Sequence, residues 1–199
     1  MPRPIVIRVL AATILTVAIG SPAWAEWLVA SESSISYVSL KNNAVAENNR
    51  LTGLTGGIDA DGTLSMTIDL ASVETGVDIR NQRMAELFFE VARFPKAHIT
   101  GKVSDDQLAA LSAGEVIDTA IPLTLDLHGV SATLTASLRA YQVADTLYVN
   151  STEPLLLQTA QFDLLGGVEA LRNIAGLKAI AQVVPVTVDL QLTADTASP

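Results

Sequence analysis

The chain has 199 residues and a formal charge of −9, with 21 acidic against 12 basic residues, two histidines and no cysteine. So acidic a chain repels phosphate backbones and anionic lipid headgroups, which argues against nucleic acid and against adsorption to a membrane surface. Without cysteine no disulfide staples the fold, and with only His98 and His128, far apart in sequence, zinc or haem ligation is disfavoured.

The opening MPRPIVIRVLAATILTVAIGSPAWAEW has two arginines and no acid, an apolar run from Val9 to Ile19, and a small-x-small site at Ala23-Trp24-Ala25. That pattern is a secretory signal peptide over 1–25. The run is too short to span a bilayer, which needs about 20 apolar residues, and Glu26 rather than cysteine follows the cut, so a lipoprotein anchor is not indicated. The expected mature chain starts at Glu26 and keeps 174 residues. It carries 10 basic against 21 acidic residues, or −11, and is soluble and periplasmic.

Beyond the leader the dominant period is two. Ser33 to Leu40 places Ile35 and Tyr37 on one face, and Thr63 to Leu70 alternates Leu64, Met66, Ile68 and Leu70 with polar residues. Ile121 to Leu127 and Val184 to Leu192 repeat the pattern, so these segments read as strands with one face buried. Asp59-Ala60-Asp61-Gly62 and His128-Gly129 read as turns between antiparallel neighbours. The first resembles the start of a calcium loop but lacks the later ligands, which leaves a plain turn. Three inserts read as helices: Asn81 to Ala92, with Met84, Leu87, Phe88 and Val91 on one face; Ser104 to Ala113, capped by Ser104 and followed by Gly114; and Gly167 to Ala175, stopped by Gly176. Asp105-Asp106 complements the second helix dipole. No G-x-S-x-G or other nucleophile motif is present.

The expected fold is all-β with short helical inserts, an antiparallel barrel of about eight strands, because closure removes exposed edges; a two-sheet sandwich is the alternative. One domain is expected over 26–193, with 194–199 a disordered tail. Aromatics are 5% of a chain that is 49% hydrophobic. Slender side chains leave volume in a barrel of this size, and composition alone leaves open whether the interior is a cavity or is filled.

The ordered series Trp27-x-Val29, Ser34-Ile35-Ser36-Tyr37, Gly56-Gly57-Ile58, Ser72-Val73-x-Thr75-Gly76, Arg80-Asn81-x-Arg83-Met84, Phe88-Phe89, Phe94-Pro95 and Leu127-His128-Gly129-Val130 resembles the YceI family of exported bacterial proteins. The resemblance covers nearly the whole mature chain. It implies an extended lipocalin-like barrel whose apolar interior holds a polyprenyl lipid or isoprenoid quinone, bound as a ligand with no other cofactor. On that reading Met84, Leu87, Phe88, Phe89 and Phe94 cap or line the tunnel with Tyr37, while Arg80 and Arg83 meet the headgroup. Pairing of the arginines with Glu74, Asp78 or Glu86 remains the alternative. The chain departs from the family pattern at Asn81, where an aspartate often stands, at Arg83, near where histidine is frequent, and in a more helical stretch from 152 to 181. A non-catalytic carrier or store is the leading reading. An enzyme acting on such a lipid and a filled structural barrel are the alternatives, with the oligomeric state, a homodimer included, left open.

Overall fold

The computed structural model describes residues 26–195; the leader read at 1–25 and residues 196–199 lie outside it. Twelve strand segments form one antiparallel sheet that closes on itself. They are β1 (Trp27–Val29), β2 (Ser34–Lys41), β3 (Val45–Leu51), β4 (Leu54–Ile58), β5 (Thr63–Asp69), β6 (Val73–Glu74), β7 (Lys96–Lys102), β8 (Ile117–Leu127), β9 (Val130–Val143), β10 (Thr146–Ser151), β11 (Leu155–Gln158) and β12 (Val183–Ala194).

Several segments are halves of one bent stave. β1 and β2 both pair with β12, β3 continues into β4, β5 into β6, and β10 and β11 pair with the other edge of β12. The result is an up-and-down barrel of eight staves, the last returning to the first through Trp27 opposite Ala194 and Val29 opposite Leu192. The expected barrel is the observed one, and the sandwich is excluded by this closure.

The bends are stitched rather than left open. Between β1 and β2 the Ser33 hydroxyl, almost fully buried, donates to the Gln191 carbonyl (2.9 Å) and accepts from the Gln191 amide (3.0 Å), replacing the lost ladder bonds. Closure also demands a glycine. A β-carbon on Gly57 would lie 1.8 Å from the Trp27 carbonyl oxygen, so β1 and β4 approach as closely as they do only because the side chain is absent.

The turns follow their residues. His128 and Gly129 both adopt left-handed backbone (φ 56° and 76°) between the paired Leu127 and Val130, a two-residue hairpin whose hand suits strand twist. In the β4–β5 turn Asp61 accepts the Thr63 amide (2.8 Å) ahead of which Gly62 takes φ 87°.

Three helices sit at the ends: α1 (Asp78–Arg83) between β6 and β7, α2 (Asp105–Ser112) between β7 and β8, and α3 (Leu165–Ile174) between β11 and β12. Since α1 precedes β7 and α2 follows it, they occupy opposite ends. α2 starts on a reciprocal capping box, with the Gln107 amide donating to Ser104 Oγ and the Ser104 amide donating to Gln107 Oε1.

Two expectations need correction. The helix read over 81–92 begins earlier, and after Arg83 it widens to a π turn over Met84–Phe88, in which the Phe89 amide reaches back to the Met84 carbonyl (2.9 Å); it ends at Glu90 in left-handed backbone (φ 48°). Residue 194, read as the first of the tail, instead belongs to β12. Thr193 pairs with Thr146 and Leu28, Ala194 with Trp27, and the Asp195 amide donates to the Glu26 carbonyl (2.7 Å), because closing the barrel requires β12 to run as far as β1 begins.

Candidate functional site

The barrel is hollow. A cavity of about 570 Å³ runs inside it, walled by inward residues of every stave. Leu64, Met66, Ile68 and Leu70 all lie on its wall, as the period-two reading of that strand requires. The slender side chains matter here: Ala97, Ala136 and Ala140 are buried on the wall, where leucines would have filled the space. The question that composition left open is therefore answered as a cavity.

The wall is mostly apolar: Thr119, Ser151, Glu153, Gln158 and Thr159 are polar positions on it, and a further polar zone is built on one hairpin. Along β2 the inward positions read Ile35, Tyr37, Ser39, Lys41, and opposite them on β3 stand Leu51, Asn49 and Glu47. Polarity thus rises along one hairpin toward its tip. Lys41 and Arg80 both ion-pair with Glu47, and Asn49 Nδ2 donates to Ser39 Oγ (3.2 Å). Burial pushes the Glu47 carboxyl up, but the hydrogen bonds from Lys41 and Arg80 outweigh it and hold it below the usual carboxylate range.

Arg80 is also tied to β6. Its Nε donates to Thr75 Oγ1 and its Nη2 to the Thr75 carbonyl, both at 3.0 Å. Asn81 completes the knot: its Oδ1 accepts from the Thr75 amide (2.8 Å) and hydroxyl (2.6 Å), while its Nδ2 faces Glu74 Oε1 (3.4 Å). Glu74 in turn accepts the Gly76 amide (2.5 Å). This accounts for the departure at position 81. An aspartate would set a second carboxylate against Glu74, whereas the amide presents a donor to it.

Arg83 differs from Arg80. It lies on the cavity wall and, among the described residues, has neither a hydrogen-bond nor an ion-pair partner. Neither arginine pairs with Glu74, Asp78 or Glu86. A second unmet donor stands deeper: the Tyr37 hydroxyl is enclosed with no partner, and burial pushes its pKa up while the nearby Arg80 charge opposes the shift. A buried donor without an acceptor costs about 1–3 kcal/mol.

Tyr37, Arg80, Arg83, Met84, Phe88 and Phe89 all lie on the cavity wall. Leu87 and Phe94 are not on it. The π turn explains Leu87: with five residues per hydrogen-bonded step, those above Met84 become Phe88 and Phe89 rather than Leu87 and Phe88. Phe88 and Phe89 meet edge to face at 4.9 Å, and the backbone of Leu87 and Phe88 turns outward beneath α3. There Gly167 packs so closely that a β-carbon would lie 2.8 Å from Phe88 Cα and 2.9 Å from the Leu87 carbonyl oxygen.

Phe94 packs instead on the His128-Gly129 turn. Its ring lies 4.2 Å from that of His128, with the Arg93 guanidinium 4.8 Å from its centroid. His128 is a turn residue as expected, yet it is buried with both ring nitrogens unpartnered, Nε2 lying 3.8 Å from Glu90 Oε1. His98 is exposed on β7, its Nδ1 3.2 Å from Thr67 Oγ1. Among the described residues no three His, Cys, Asp or Glu side chains converge as a metal site, and no helix is long and apolar enough to cross a membrane.

Sequence reasoning missed Lys41, Glu47, Asn49 and Thr75. Their signal is the failing alternation of the β2–β3 hairpin, where inward positions turn polar although the strands continue.

Comparison with known proteins places these features. A family model described as the YceI-like domain matches residues 28–192. The structure of a polyisoprenoid-binding domain from Saccharophagus degradans, implicated in plant cell wall breakdown, superposes with a TM-score of 0.80 at 38% identity, covering 86% of this chain and 99% of that one. Burkholderia cenocepacia BcnA shares the fold at a TM-score of 0.61 and 19% identity, covering 80% of this chain and 96% of its own. A Campylobacter jejuni YceI protein does so at 0.53 and 16%, covering 74% and 84%. No curated relative matches the chain.

Proposed function

The chain belongs to the YceI-like family, and from that premise we propose that it is an exported, non-catalytic binding protein that holds a long-chain isoprenoid in its barrel for transport or storage. The observation that carries this is the cavity of about 570 Å³, within the roughly 300–1,000 Å³ of ligand pockets, mostly apolar along its length and with a polar zone at Arg80, Arg83 and Tyr37. A branched hydrocarbon tail gains from burial along such a wall at about 25 cal/mol per Å². The relative at 38% identity, whose structure is that of a polyisoprenoid-binding domain, supports the same ligand class.

In this reading the tail follows the apolar shaft past Phe88 and Phe89, and the headgroup oxygen, of a polyprenyl lipid or an isoprenoid quinone, accepts from Arg83. Arg80 acts differently: Thr75 and Glu47 hold it, so it shapes the polar zone rather than supplying free donors. Native mass spectrometry and lipid extraction of protein purified from its own periplasm test the proposal. A stoichiometric long-chain isoprenoid, unaltered on incubation, is expected; an empty barrel or a chemically converted lipid would overturn it.

A further inference from the structure

Val77 and Ile79, at the start of α1, are 44% and 52% exposed, and Ile174, at the end of α3, is 50% exposed; all three are also on the cavity wall, as is the exposed Ala175. A residue that is both exposed and on the wall marks where a cavity reaches the outside. Glu153, ahead of β11, and Gln158, at its end, meet the same two conditions, so the cavity reaches the outside along the first turn of α1, the last turn of α3 and β11. Isolated exposed apolar side chains need no explanation, but these lie where the apolar interior meets solvent, so the lip on the α1 and α3 side continues the interior outward, while Glu153 and Gln158 make the β11 side polar.

The tail of an isoprenoid, on the reading above, does not travel through water. It has to cross between a bilayer and the cavity, and an apolar lip seated in the interfacial layer gives it a path that stays dry. The charge of the chain says which surface fits. At −9 overall it is repelled by anionic headgroups, and Asp78 stands beside Ile79 on the lip itself. We infer that the lip formed by α1 and α3 is a docking surface for a zwitterionic lipid bilayer, held by insertion of Val77, Ile79 and Ile174 and not by charge.

Flotation of the protein beginning at Glu26, which contains the whole barrel, with isoprenoid-free phosphatidylcholine vesicles tests this. The wild type floats, and phosphatidylglycerol added to the vesicles does not strengthen the association. Ile79→Glu and Ile174→Glu each weaken it at least tenfold without lowering the melting temperature, because both side chains are already half exposed. Ile174→Trp strengthens it, a gain that misfolding cannot mimic, while Val116→Glu, 63% exposed beyond α2 at the other end of the barrel, leaves it unchanged. The inference is overturned if the wild type stays unbound, if flotation requires phosphatidylglycerol, if Val116→Glu acts like the lip variants, or if those variants change self-association instead. Solanesol supplied to the wild type in detergent micelles separates the two readings: failure to bind it while flotation persists overturns the isoprenoid ligand and leaves the docking surface standing.

Discussion

At one end of the barrel α2 begins on a full capping box, ties Gln107 Nε2 to Thr119 Oγ1 on β8 (2.7 Å), and sends Leu108 and Leu111 into the core, the latter 2% exposed. At the other end α1 has no side-chain cap, buries none of its own residues, and gives way to a π turn, while α3 lies across that turn with no side-chain cap either. The first arrangement is a plug: its apolar contacts hold it in place. At the second, the π turn buries Met84 and Phe89 and α3 buries Val168, but α1 itself is held by polar groups around Thr75, and elements with few buried apolar contacts open at the lowest cost. The element without buried residues, α1, is thus at the end that carries the unmet donors and the opening.

The largest expected effect separates the two ends by truncation. Leu111→Ala should cost about 2–5 kcal/mol in denaturant melts, the usual range for a buried leucine. Phe88, half-buried on the cavity wall, should cost less when replaced by alanine, yet weaken solanesol binding by roughly 1–3 kcal/mol, the transfer free energy of the lost apolar contact. If Phe88→Ala matches the cost of Leu111→Ala and leaves affinity per folded molecule untouched, Phe88 is core and the contrast between plug and gate fails.

The crossing of α3 over the π turn comes next. Gly167→Ala forces backbone apart at 2.8–2.9 Å and should cost about 1–3 kcal/mol, as overpacking does, while raising the off-rate of bound isoprenoid. Its neighbour is the control: a β-carbon on Gly166 meets nothing within 4 Å, so Gly166→Ala should stabilise by about 0.4–1 kcal/mol through the unfolded chain. Equal melting temperatures for the two variants would show that α3 is not seated as described.

The barrel was readable because an inward ladder such as Leu64, Met66, Ile68, Leu70 has the period of a strand, and the inserts because Ser104 and Gly114 carry the chemistry of helix ends. What alternation hid was the β3 half of the first hairpin. VAENNRL has too few apolar residues to read as buried, since its inward Asn49 and Glu47 face the polar zone instead of the core. Helical spacing likewise placed Leu87 on the wall, because nothing in MAELF announces a five-residue turn; the register is imposed by Gly167 pressing on the backbone of Leu87 and Phe88. Phe94 was grouped with its neighbours by sequence distance alone, although the left-handed Glu90 turns the chain away from the cavity before it.

A smaller effect distinguishes the two arginines at the open end. Arg83→Met deletes donors that no residue of the described protein uses, so it should leave the melting temperature unchanged and weaken a quinone-bearing isoprenoid by about 1 kcal/mol, roughly fivefold, relative to the matching hydrocarbon. Arg80→Met removes the partner of Thr75 and Glu47, and should lower stability as well. Parallel titrations of the two ligands with both variants decide it; an Arg83→Met protein that binds both as the wild type does would remove Arg83 from the site.

The smallest effect is acid sensitivity, small because the carboxylates concerned are partly or fully exposed and solvent screens them. At the open end Glu47 is held below its ordinary value of 4.5 by Lys41 and Arg80 against the opposing effect of burial, and Glu74 is held below 4.5 by the Gly76 amide and Asn81. At the plugged end the Thr63 backbone holds Asp61 down to about 2, from 3.8. A carboxyl depressed in the folded state contributes its full stabilisation above the unfolded value and loses it as pH falls through the folded one. Loss at the open end therefore begins below about 4.5, and at the Asp61 turn only below 3.8, continuing to about 2. Hydrogen exchange should accordingly show the amides of Thr75 and Asn81 speeding up, relative to intrinsic rates, at a higher pH than the amide of Thr63. Glu47→Gln should flatten that dependence at Thr75 in part, leaving the share of Glu74, and should not alter it at Thr63. Both ends loosening together, or a Glu47→Gln protein with the wild-type pH profile at Thr75, would mean that the open end is not held by these charges, and the contrast would then rest on packing alone.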